Sequence, residues 1–273
     1  MQTNTFSLSV LKAWILLGSA GHCATSVSYD FELETPNDYF SDGVVGWSQD
    51  SINPSGVFGQ TFPLAYIATT NFGSGLTNSG HLGSQFANTP LLTSTTVSGV
   101  LDFTGIDPAA PGATMNLAIK DDVTDQFEER DSFTVSFANS GGGSLAEIEF
   151  TPTVGNLNTW DIAVGVNGVP ASATTGTMIA LSGYRFRLDF GATATSFFYG
   201  SSFGGPEVLL GNRPAIPTSG LSAIEMTHFP AAPVGESATT LVFDNIVVSI
   251  PEPSTTALFV LGFLALAGRR QRC

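Results

Sequence analysis

The sequence predicts an all-β fold, a single large jelly-roll β-sandwich flanked by an N-terminal signal helix and a C-terminal transmembrane helix. Three observations predict it. Apolar residues in the central part recur with period two rather than 3.6. Clusters of Gly, Asn, Ser and Pro punctuate those runs at short intervals. Apolar runs suited to helices occur only at the two ends of the 273-residue chain.

The strands come first. Met115, Leu117 and Ile119 share one parity, and so do Phe133, Val135 and Phe137, which alternate with Ser132, Thr134 and Ser136. Trp160, Ile162, Val164 and Val166 repeat the pattern, and Tyr184, Phe186, Leu188 and Phe190 alternate with Arg185, Arg187 and Asp189. Each run reads as a half-buried strand with one face in a core and the other in water. Between them lie the turn clusters 139–143, 167–168 and 202–206. No central stretch offers an amphipathic helix, no repeat is evident and no linker divides the body. Many short strands over more than 200 residues favour one large sandwich.

Composition narrows the function. The whole chain carries 23 acidic and nine basic residues. Residues 27–250 hold 22 acidic side chains against Lys120, Arg130, Arg185, Arg187 and Arg213, a net of −17. Such a body repels nucleic acid and anionic membrane surfaces, so no nucleic-acid partner is expected. Cys23 and Cys273 are the only cysteines, one in each terminal segment, and His81 and His228 are the only histidines between them. That count excludes an internal disulfide, a Cys–His catalytic pair and a His-rich metal site from the body.

Residues 1–26 read as a signal peptide. An apolar run from Phe6 to Leu17 encloses Lys12, and the small residues Gly18, Ser19, Ala20 and Gly21 follow. Cleavage is expected between about Ala20 and Ser26, for example after Ala24 or Ser26. The Sec translocon and signal peptidase are then the first partners. A lipoprotein acylated at Cys23, or a buried N-terminal helix, are the alternatives.

Residues 251–273 hold the strongest signal. Pro251, Glu252 and Pro253 lead into an uncharged stretch from Ser254 to Gly268, and Arg269, Arg270 and Arg272 close the chain. As a helix that stretch spans roughly 22 Å, short for a hydrocarbon core of about 30 Å, so a buried C-terminal helix remains an alternative on hydropathy alone. The three-part order resembles the PEP-CTERM sorting signal of Gram-negative envelope proteins. That resemblance implies export, a transient inner-membrane anchor, processing by an exosortase-type membrane protease, and delivery to the cell surface or extracellular polysaccharide.

Just before it, Leu241–Ser249 forms an "FDNI-V-V" strand similar to the closing strand of lectin-like and carbohydrate-binding jelly rolls. Asp244 interrupts that apolar strand and needs a backbone donor, a cation or water. Together with the sorting tail, the likeness implies an extracellular polysaccharide partner, and the absence of a complete catalytic set makes binding without catalysis the expectation.

Three constellations could carry chemistry. The acidic run around Asp121, Asp122, Asp125, Glu128 and Asp131 supplies hard oxygen ligands of the kind calcium takes, although its spacing is not an EF-hand. A solvated acidic loop is the plain alternative. Trp47, Trp160 and Tyr199 are candidate stacking platforms for sugar rings, with core filling as the alternative for each. Glu147 and Glu149 share one strand face roughly 6.5–7 Å apart, a spacing compatible with glycoside hydrolysis. Retaining hydrolases on lectin-like sandwiches show a Glu-Ile-Asp-x-x-Glu strand. Here Glu147 matches the first position, Glu149 replaces the Asp, and Pro152 stands at the second catalytic glutamate, so an envelope glycoside hydrolase is the lesser reading.

Overall fold

A computed structural model describes residues 24–34, 40, 44, 46–49, 65–69, 78–83, 95–100, 112–121, 130–156, 158–167, 169, 176–201, 205–231 and 239–251. Of the expected signal segment 1–26, residues 1–23 lie outside these residues, as does the expected helix at 254–268, while residues 24–26 are strand. Among the described residues the structure is all β, apart from 3-10 turns at Phe31–Leu33, at Phe40 and at Thr218–Gly220.

Among the described residues fifteen strands follow one another. They are β1 (Ala24–Tyr29), β2 (Trp47–Gln49), β3 (Ala65–Thr69), β4 (Asn78–Gly83), β5 (Thr95–Val100), β6 (Gly112–Asp121), β7 (Ser132–Asn139) and β8 (Ser144–Pro152). Then come β9 (Thr159–Val166), β10 (Gly176–Ile179), β11 (Gly183–Phe190), β12 (Ala194–Gly200), β13 (Glu207–Pro214), β14 (Leu221–Phe229) and β15 (Thr239–Pro251). They form two sheets. The first runs β13-β12-β11-β6-β15-β4-β3, with β1 also paired to β15; the second runs β10-β9-β8-β7-β14-β5-β2. Every pairing is antiparallel, which lets one face of each sheet meet the core and the other meet water.

The core lies between the sheets and is filled by the period-two positions. Met115, Leu117 and Ile119 of β6, Phe186 and Leu188 of β11, and Phe243 of β15 face Phe133, Val135, Ile148, Phe150 and Met226 of the second sheet, all essentially without solvent exposure. Burial of large side chains contributes roughly 1.5–3 kcal/mol each, which is why the alternation specifies the register so strongly. At one end Tyr29, Phe31, Phe40, Trp47 and Phe243 form an aromatic cluster with centroid separations of 5.1–5.9 Å. Gly80 on β4 makes room for it, because a Cβ there would lie 2.3 Å from Cε2 of the Phe243 ring.

The turn at 139–143 shows how local chemistry sets a hairpin. The Asn139 side-chain oxygen accepts from the backbone N–H groups of Gly141 (2.8 Å) and Gly143 (3.1 Å), and Gly142 adopts φ 75°. Asn supplies the side-chain acceptor and Gly the left-handed backbone, so β7 and β8 pair on either side.

The strand ladder extends beyond the 27–250 body that the sequence alone delimits. β1 starts at Ala24 because it has a partner: its register against β15 runs from Ala24 opposite Pro251 to Tyr29 opposite Ile246.

Candidate functional site

The water-facing side of the second sheet carries an ordered polar grid. Its alternation leaves Phe133, Val135, Phe137, Ile148, Phe150, Trp160 and Ile162 inside, so their neighbours in sequence point outward. Cross-strand register then sorts these into rows. Ser48, Ser98, Glu225, Ser136, Glu147 and Gly165 line up across β2, β5, β14, β7, β8 and β9. Thr96, Thr227, Thr134, Glu149 and Ala163 form the next row. Phe229 lies opposite Ser132, and Thr151, Asp161 and Thr177 continue on β8, β9 and β10.

Several of these side chains are held in place. Ser144 donates to Glu147 at 3.2 Å, Thr153 donates to Asp161 at 2.8 Å, and the Thr96 and Thr227 hydroxyls are 2.9 Å apart. Glu147 and Glu149 lie two residues apart on β8, roughly 6.5–7 Å by the strand rise. Glu225 lies two strands from Glu147, across Ser136, at about 9.5 Å between backbones. Gly165 and Ala163 beside the two glutamates keep that part of the face low. Phe229, 44% exposed, is a large apolar ring at the end of β14. None of the seven strands of this sheet carries Lys or Arg, whereas the grid holds four carboxylates.

The outer face of the first sheet is different. The Arg187 guanidinium lies 3.9 Å over the Phe198 ring, donates to Glu207 at 2.6 Å and is also bonded to Asp189. Those partners, the Asp189 hydrogen bond foremost, raise its pKa and secure the charge. Arg185 adds a second contact to Glu207 at 4.0 Å. This network is paired within itself.

The residues singled out in the sequence separate. Trp160 is fully buried, and its indole N–H donates to the Asp131 carbonyl at 3.0 Å. Trp47 opens β2; its ring packs inward over Gly99, and the side chain is 6% exposed. Neither ring can stack on a sugar, because both are core positions of period-two strands. Tyr199 also turns inward, stacked 6.1 Å from Tyr184 and packed against the core, while its neighbour Phe198 takes the outward position. The parity of a strand decides which ring is presented, and a run of three aromatics conceals it.

Asp131 likewise leaves the acidic constellation. Its carboxylate is buried, 2.8 Å from His228 Nε2, and accepts from the Ala231 backbone N–H at 2.9 Å. Protein donors therefore occupy the oxygens expected to face calcium. Asp121 ends β6 opposite Thr239, and its side chain, like Asp122, Asp125 and Glu128, lies outside the described residues. Among the described residues no three His, Cys, Asp or Glu side chains converge as a metal site.

Asp244 is the other buried carboxylate. It lies one residue past Phe243, beside the 3-10 turn at Phe31–Leu33, and accepts from the Asn245 side chain at 3.0 Å while its Oδ1 has no partner among the described residues. Burial, with Asp30 and Glu32 nearby, pushes its pKa up to about 6. Phe229 and Glu225 were not among the residues the sequence singled out, although Glu147 was. Their signal was present as outward parity on strands whose inward parity is plain.

Comparisons with known proteins agree with this anatomy. Residues 249–272 match the PEP-CTERM protein-sorting motif, which begins inside β15. That motif marks the chain as one with a C-terminal sorting signal and implies processing by an exosortase-type membrane protease. No curated protein matches the chain. The fold is similar to the CBM2 module of the evolved Dit protein of Lactobacillus casei BL23 phage J-1, with TM-score 0.50, 8% identity, and coverage of 85% of this chain and 99% of that one. A GH131 β-glucanase catalytic domain from Podospora anserina matches with TM-score 0.47 and 10% identity over 81% of this chain and 94% of that one. Lectin II from Ulex europaeus matches with TM-score 0.42 and 13% identity over 82% and 98%. Identities this low speak to the fold alone, and the CBM2-module match agrees with the two-sheet β-sandwich described above.

Proposed function

We propose that this protein is exported, processed at its C-terminal sorting signal, and binds extracellular polysaccharide through the outer face of the second sheet without catalysing a reaction. The Sec translocon, signal peptidase and an exosortase-type protease are its processing partners in this reading. One observation carries the binding role: a flat grid of hydroxyls and carboxylates that ends at the exposed ring of Phe229. Sugar hydroxyls donate to carboxylates and exchange hydrogen bonds with Ser and Thr, while the apolar face of a pyranose suits an aromatic ring. The grid's four carboxylates, on strands that carry no Lys or Arg, favour neutral or amino-sugar polymers and disfavour uronate-rich ones, by like-charge repulsion.

A glycan array with the mature protein purified from its host tests this. Binding to neutral or amino glycans is expected, with Phe229→Ala and Glu225→Gln each weakening it about tenfold, near 1.4 kcal/mol, at an unchanged melting temperature. Binding confined to acidic glycans, or unaltered in both variants, would refute the assigned face. A hydrolase is the second reading, carried by the Glu147 and Glu149 spacing on β8. Release of reducing sugar that disappears in Glu147→Gln would establish that reading instead.

A further inference from the structure

The first strand of the fold and the strand that enters the sorting motif are hydrogen-bonded to each other. β15 gives one edge to β6. Its other edge is shared in sequence: β4 pairs with Thr240–Phe243, and β1 takes over from Ile246 to Pro251. Six register pairs hold β1 there, and three of them belong to Ala24, Thr25 and Ser26. These three residues fall inside the stretch where sequence alone allows the export peptide to be cut. Cleavage after Ser26 would delete half of the ladder and leave backbone groups of Ser249, Ile250 and Pro251 facing solvent on an open strand edge, a template for pairing with other chains.

We infer that β1 is a clasp on the sorting-motif strand, and that the export peptide is removed upstream of Ala24 so that the clasp survives processing. Gly18 and Ala20 supply the small side chains that a signal peptidase reads, and a cut after Ala20 spares the whole strand. Antiparallel partners lie about 4.5–5.5 Å apart between Cα atoms, so the two processing sites flank a single strand pair at one end of the first sheet. Among the described residues the outermost pair of the clasp is Ala24 with Pro251, and the sorting tail continues in sequence from Glu252. The tail is then cut without opening the sandwich. This inference rests on the export reading above.

The test uses the full chain expressed in its native host. N-terminal sequencing and intact mass of the unaltered mature protein are expected to place its first residue at or before Ala24. Two pair variants in a Cys23→Ser background, Ser26→Cys/Ser249→Cys and Thr25→Cys/Ile250→Cys, then read the register. Adjacent antiparallel pairs alternate in geometry, and their Cα separations fall within disulfide range, so at least one pair is expected to close and lose both thiols. A mature protein that begins at Thr25 or later overturns the inference. So do free thiols in both variants when both residues are retained. A chain that keeps Met1 through Cys273 in the cytoplasm overturns the export reading itself, and mass separates that result from the others.

Discussion

Asp244 and His81 are buried on the paired strands β15 and β4, with His81 opposite Val242, and they titrate in opposite senses. Burial, aided by Lys120, holds His81 down at about 3, so the folded protein keeps it neutral. Its stabilising contribution is complete above the ordinary histidine value of 6.5 and is lost as the pH falls. Asp244 is raised from 3.8 to about 6, so the fold favours its protonated form. Its contribution is complete below 3.8 and is lost as the pH rises through about 6, at a cost of up to about 3 kcal/mol. Between pH 4 and 6 the two slopes oppose each other. Asp244→Asn is therefore expected to melt several degrees higher than wild type at pH 7.5 in EDTA. On acidification the variant should lose the compensation and fall by up to about 1.4 kcal/mol per pH unit relative to wild type. Thermal melts at four pH values check it. A variant that follows the wild-type curve would show that Asp244 is ionised at no cost. The same residue shows how far sequence reaches at this scale. That Asp244 needs a partner is legible from an acid within an apolar strand; which oxygen lacks one depends on the turn at Phe31–Leu33, more than 200 positions earlier in the chain.

At the scale of elements, the two sheets differ in how plainly they are written. β7, β8 and β9 alternate through 132–135, 146–150 and 159–164, so the inner and outer faces there follow from counting. β15 does not. Phe243, Ile246 and Val248 are all buried, although a regular strand would send Phe243 and Ile246 to opposite faces. The register with β6 shifts between Asp244 and Val247: three steps on β15 match two on β6, from Asn116 to Thr114. Asn245, at φ 49°, absorbs the extra residue in the left-handed region. This is a β-bulge, and it re-phases the strand so that both halves face the core. Asn tolerates that conformation and Gly adopts it freely, whereas a β-branched residue strains there. Asn245→Gly is expected to leave the denaturation midpoint near wild type, while Asn245→Val lowers stability by about 1–2 kcal/mol. Equal midpoints for the two variants would mean that the bulge moves to another residue.

For the whole molecule, charge and covalent order matter together. The chain carries −14; its ends contribute Lys12, Glu252, Arg269, Arg270 and Arg272, and without them residues 27–250 carry −17. Removing both ends thus detaches an acidic sandwich from its only basic cluster, and the product is repelled by anionic lipid surfaces. Replacing Pro251, Glu252 and Pro253 together with Ala is expected to leave the tail attached, so that the protein stays in the membrane fraction with its mass extending to Cys273. The unaltered protein should lose the tail and leave that fraction. If both forms retain Cys273 and stay in the cytoplasm, the sorting motif is not used in this chain.

The sequence by itself determined the all-β class, most of the strand faces and the sorting motif. These depend on local period, turn chemistry and order along the chain, and each is complete within a few residues or at one terminus. Tertiary structure decided the rest, because it depends on pairs far apart in sequence. It drew Asp131 into the core onto His228, 97 positions away. It turned Trp47 and Trp160 inward and gave the outward place beside Tyr199 to Phe198. It lined up Glu225, Ser136 and Glu147 from three strands into one row. It also joined Ala24 to Pro251, since only a closed sheet brings the first strand of a sandwich against its last.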